Sequence, residues 1–141
     1  MNYIDDILNR LHVMSADDII QEIGGKIYSE PLDRDEILKY PQFIQDIIFL
    51  IDMDTELTMQ GDVLVNSTGQ HVPNMIVALK NIHADNDANL LQKIYDVYQS
   101  NPNYDIIWET LDDFYSRMYL YTDLDIWRLL NTYVEQEKCM L

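Results

Sequence analysis

Positive charge and cysteine are the scarcest features of this sequence. Only 9 Lys and Arg stand against 25 Asp and Glu in 141 residues, giving a formal net charge of −16. Such a field repels nucleic acid and anionic membrane surfaces and attracts basic proteins. Direct contact with nucleic acid or a membrane is therefore not expected, and plain solubility is the other use of such charge. Cys139 is the single cysteine; it excludes an internal disulfide and a cysteine-based zinc site. The longest apolar run, Ile47-Ile48-Phe49-Leu50-Ile51, is too short to span a bilayer. The opening Met1-Asn2-Tyr3-Ile4-Asp5-Asp6 has neither the basic nor the apolar region of a secretory signal. A cytoplasmic protein is expected. No repeat, linker or low-complexity tract divides the chain, so residues 1–141 are expected to form one domain.

Strand-like alternation is also missing; Val63-Leu64-Val65 is the one candidate, and it is too short to anchor a sheet. Helical spacing is present throughout. Ile4, Ile7, Leu8 and Leu11 predict a helix near residues 2–13. Ser15 is the expected cap of a second, with Asp17 and Asp18 in its first turn and Ile19, Ile20, Ile23 and Ile27 on its apolar face. Gly24-Gly25 either ends or interrupts it. A short turn is expected after Asp33, and Pro41 suits the first position of the next helix. That helix carries Phe43, Ile44, Ile47, Ile48, Leu50 and Ile51 around more than half its circumference, the mark of a central buried element, and should run to about Leu57. Asp46, Asp52, Asp54 and Glu56 are expected on its remaining solvent-facing surface. Further helices are predicted over 73–83, 86–99 and 104–121, and a last one capped by Thr122 or Asp123. The fold class is all-α, a compact domain of six or seven helices.

Acid concentrates at the two ends. Residues 1–36 hold three basic and nine acidic side chains, and 105–141 hold three and eight; 62–104 hold only two and four. Asp105, Glu109 and Asp112 recur at i, i+4 and i+7, with Asp113 beside them, opposite Ile107, Leu111, Phe114 and Met118. Such a row resembles the line of phosphates that a basic groove receives, and is equally the pattern of a solvated helix face. Tyr119 and Tyr121, beside an acidic turn, are candidate contact residues.

No metal or cofactor site is expected. Asp85-Asn86-Asp87-Ala88-Asn89 begins like a calcium loop, but Leu90 occupies the glycine position, and helix-capping acids explain the run better. Asp52 to Glu56 fails the same test at Leu57. His12, His71 and His83 lack metal-ligand spacing. Ser67 lacks a hydrolase elbow, and Glu56 with Asp62 has no nucleophile at hand, so no enzyme chemistry is expected. Asn66-Ser67-Thr68 matches a glycosylation sequon without any sign of secretion.

The stretch from Glu56 to Ala84 is the most residue-specific in the chain. Glu56, the turn glycine Gly61, the run Val63-Leu64-Val65, the turn Asn66-Ser67-Thr68-Gly69 and the helix Ala78-Leu79-Lys80-Asn81-Ile82-His83-Ala84 follow in order. With Leu111-Asp112-Asp113-Phe114-Tyr115 downstream, this pattern resembles the DNA-mimic protein C-terminal-domain family over residues 40–135. Two positions depart from it. Leu57-Thr58-Met59-Gln60-Gly61 replaces an Asn-Gly-Gly-Phe turn, and His83 stands where the family has glycine. The resemblance implies a structural role for Glu56, Gly61, Asn66, Ser67, Gly69, Ala78, Leu79, Ile82 and Ala84. It further implies a non-enzymatic protein whose carboxylates engage a basic partner, most readily a DNA-binding protein. Asp105, Glu109, Asp112, Asp113, Asp123 and Asp125 are the expected contact residues, with Asp17, Asp18 and Glu22 as a second patch. An immunity-type protein that neutralises a toxin enzyme is the alternative, and a homodimer is left open.

Overall fold

Most helices start where a side chain can accept the first free N–H groups. A computed structural model describes residues 2–64, 70–101, 103–118 and 125–141, Tyr104 through its backbone alone. Among these residues the chain forms eight α-helices and no strand. Helix α1 (Tyr3–Asn9) opens on Asn2, whose Oδ1 accepts from Ile4 N and Asp5 N at 2.9 and 3.1 Å while Asp5 accepts from Asn2 N in return. A 3₁₀ turn, Leu11–Val13, follows. Helix α2 (Ala16–Lys26) opens on the same reciprocal device between Ser15 and Asp18. Gly24 and Gly25 lie inside α2 and do not end it.

Asp33 caps the four-residue α3 (Arg34–Ile37), which raises the helix count above the expected six or seven. Helix α4 (Gln42–Gln60) takes Pro41 as its cap rather than its first residue and runs a turn past Leu57. Gly61, at φ +71°, ends it in the left-handed conformation that glycine adopts without steric cost. Helices α5 (Val72–Asn81), α6 (Asp85–Ser100), α7 (Tyr104–Ser116) and α8 (Ile126–Lys138) complete the order. Helix α7 stops at Ser116 rather than 121, and α8 is capped by Asp125, not by Thr122 or Asp123. Helix α6 follows Ala84, which makes no side-chain cap bond, and Asp85 and the fully buried Asp87 stand in its first turn, where the dipole favours carboxylates.

Helix α4 is the centre. Phe43, Ile44, Ile47, Ile48, Phe49, Leu50 and Met53 are all buried, and the helix packs on α2, α5 and α8. From α5 the chain folds in sequence, α5 on α6 and α6 on α7, while α2 closes on α8. Each fully buried aliphatic side chain contributes about 1.5–3 kcal/mol of transfer free energy, opposed by the entropy of ordering it.

Two acids expected on the outer surface of α4 are inside. Asp46 is fully buried and accepts from Gln42 Nε2 at 2.8 Å, Asn81 Nδ2 at 2.9 Å and Tyr133 Oη at 2.7 Å, joining α4, α5 and α8. Burial, reinforced by the Asp46 carboxylate, pushes the Tyr133 phenol well above its usual range, so it stays a donor. Asp52 receives Arg34 Nε and Nη2 at 2.6 and 2.8 Å and Tyr28 Oη at 2.9 Å. Burial pushes the Tyr28 phenol up to about 12. Buried carboxylates persist only with such partners. Asp54 and Glu56 are half-buried, and burial raises the pKa of both, with the charges of Asp52 and Asp62 adding to the shift at Glu56. The Oε2 atom of Glu56 is buried and, among the described residues, has no hydrogen-bond partner.

Candidate acidic interaction surface

Helix α7 is held by one face so that the other can be presented. Asn103 Oδ1 accepts from Asp105 N at 3.2 Å to start it. Ile107, Leu111, Tyr115 and Met118 are buried, and the helix lies on α6. Tyr115 locks the inner face further. Its phenol donates to Asp62 and accepts from Val63 N at 3.1 Å, while the same Asp62 accepts from Leu64 N at 3.0 Å. This ties α7 to the segment just after α4.

The outer face carries Asp105, Glu109, Asp112 and Asp113, all exposed. The carboxylates do not act alike. Asp113 Oδ2 lies 2.6 Å from Arg117 Nη2, and that guanidinium also covers the Phe114 ring at 5.2 Å from its centroid. Among the described residues, Asp105, Glu109 and Asp112 have no ion-pair partner. Sequence reasoning treated four equivalent acids; the geometry gives three that are unpaired among the described residues and one partly neutralised. It missed two apolar neighbours. Ile106 and Trp108 are 68% and 42% exposed on the same helix, flanking the acidic row. Both fall out of phase with Ile107, Leu111, Phe114 and Met118, and that offset is the signal in the sequence.

The second patch is thinner than expected. Asp17 is exposed and, among the described residues, unpaired, but Asp18 Oδ2 accepts from Ser15 N in the α2 cap. Glu22 receives Arg10 Nη2 at 2.9 Å and Lys26 Nζ at 3.4 Å. Asp125 is exposed, with its Oδ1 accepting from Trp127 N and Arg128 N. Helix α7 packs on α6 whereas α2 packs on α4 and α8, so the two patches occupy different parts of the surface. Asp123, Tyr119 and Tyr121 lie outside the described residues, as do Asn66, Ser67 and Gly69.

Four of the positions carrying the resemblance, on α5 and just after it, face the core. Ala78, Leu79, Ile82 and Ala84 are buried. His83, standing where the family has glycine, takes φ +68° at the end of α5. Ala84 N reaches Leu79 O at 2.8 Å and His83 N reaches Lys80 O at 3.0 Å, the paired bonds of a Schellman motif. A family model described as DMP19-like protein matches residues 38–137. The chain belongs to this DNA-mimic family. The match takes in α4 to α8 and leaves α1, α2 and α3 outside it. No curated protein and no solved structure matches the chain.

Among the described residues no group of three or more His, Cys, Asp or Glu side chains is arranged to hold a metal ion. No described helix is long and apolar enough to cross a membrane.

Proposed function

We propose that this family member is a non-enzymatic, cytoplasmic interaction protein whose α7 carboxylates bind a basic protein, one that itself binds DNA. The observation that carries this reading is the exposed row Asp105, Glu109 and Asp112, free of cations among the described residues, on a helix anchored through its opposite face. Neighbouring carboxylates at this spacing repel each other by a few tenths of a kcal/mol per pair. The fold gains nothing from keeping them together, whereas a row of fixed negative charge matches a groove built for phosphates. Membership of a DNA-mimic family supports the same partner class.

The test replaces Asp105, Glu109, Asp112 and Asp113 by Asn or Gln together. Stability should stay within about 0.5 kcal/mol of the parent, since relief of repulsion offsets loss of the exposed Asp113–Arg117 pair. Capture of a basic DNA-binding protein from the native host should weaken sharply. The parent affinity should fall steeply from low to moderate salt. Normal capture by the fourfold variant, or an acidic partner, would sink the proposal.

Exposed Trp108 and Ile106 support a second reading, an immunity-type protein that blocks a toxin enzyme, because aromatic anchors dominate interface energetics. Under it, Trp108→Ala weakens binding more than the fourfold charge change does, and salt has little effect.

A further inference from the structure

A cavity of about 260 Å³ opens between α2, α4 and α8, with no α7 residue in its lining. Its apolar lining comes from Ile20, Ile51 and the half-buried Trp127; Asp17, Gln21 and Asn131 add polar atoms. Gly24 forms part of its wall. A Cβ there would sit 3.9 Å from Ile51 Cδ1, in ordinary contact, so any longer side chain would grow into the cavity. The volume falls below the 300–1,000 Å³ or so of small-molecule sites, which suits one inserted side chain better than a cofactor.

We propose that this cavity receives an arginine side chain of the basic partner, with Asp17 as its counter-ion. Charge complementarity selects that occupant. Of the three acids on α2, Glu22 is held by Arg10 and Lys26 and Asp18 serves the cap, so Asp17 alone keeps a carboxylate without an assigned partner among the described residues. An arginine suits this lining in three ways. Its stem matches Ile20 and Ile51, its planar fork pairs with a carboxylate and with amide oxygens such as those of Gln21 and Asn131, and its cation is attracted to an indole face. The inference rests on the basic-partner reading but concerns a different surface, so the two stand or fall on different measurements.

The test uses the full chain and N-acetyl-arginine amide as probe, followed through the two indole N–H signals by NMR, with Trp108→Phe assigning them. The Trp127 signal should move saturably and the Trp108 signal should not. N-acetyl-citrulline amide, the neutral isostere, should leave both in place. Asp17→Asn should weaken the probe about tenfold, the usual worth of one charge-assisted hydrogen bond, and Gly24→Leu should abolish the saturable shift. If Gly24→Leu fails to fold, Asp17→Asn, a change at an exposed side chain, carries the test alone. Equal binding of citrulline, undiminished binding to Asp17→Asn or to a folded Gly24→Leu, or unsaturated shifts spread over the acidic surface would each overturn the proposal. None of those results bears on the α7 row, which is read by partner capture.

Discussion

Single residues show where acidity serves the fold and where it does not. Glu56 buries one oxygen that is unpartnered among the described residues, and burial together with the charges of Asp52 and Asp62 raises its pKa. A carboxyl with a raised folded pKa favours the protonated native state. Its ionised form therefore destabilises the fold above that pKa, and the penalty is relieved as pH falls through it. Glu56→Gln should accordingly raise the melting temperature at neutral pH, with the gain shrinking on acidification; melts at stepped pH check this. Asp52 works the other way, satisfied by a bidentate Arg34 and by Tyr28. Arg34→Ala leaves that carboxylate buried without its cation and should cost about 3 kcal/mol in a urea titration. His83 holds a left-handed backbone at φ +68°. Relief of roughly 1–2 kcal/mol of strain, less the extra freedom glycine brings to the unfolded chain, predicts that His83→Gly stabilises by about 0.5–1 kcal/mol.

Among the elements, α2 is under-optimised. Gly25 is exposed within the helix, and a Cβ there would meet nothing within 4 Å. Gly25→Ala should stabilise by about 0.5–1 kcal/mol through helix propensity alone, measured by thermal or chemical melts. Helix positions and apolar faces were legible in the sequence because period and caps agree locally, as at Ser15 and Asp33. Burial of Asp46 and Asp52 was not. Helix α4 is apolar around most of its surface, so periodicity cannot tell a solvent-facing acid from one paired inside. The partners that decide it, Arg34, Asn81 and Tyr133, come from other elements. The α7 row was legible from its spacing, and its correction lay in plain view, since Arg117 stands four residues after Asp113. Lys26 stands likewise four residues after Glu22, whereas Arg10 comes from α1's end and needed the fold. The cavity at Gly24 was invisible, because it depends on how α8 crosses α2.

For the whole molecule, a net charge of −16 sets fold and binding against each other in salt. Self-repulsion weakens the compact state. Shortening the screening length from about 30 Å at 0.01 M to about 8 Å at 0.15 M relieves it. The melting temperature should rise by a few degrees over that range while affinity for a basic partner falls; parallel melts and titrations read both. The packing of α2 against α8 has a further outcome, in the order of synthesis. Ala16 N donates to Glu135 Oε1 and Lys138 Nζ to Met14 O, across sequence separations of 119 and 124 residues. A ribosome emits α2 long before α8, so α2 spends most of translation without one of the two helices, α4 and α8, that it packs on. Chaperones that hold apolar segments of nascent chains have their longest opportunity there, and the core closes only as α8 clears the exit tunnel.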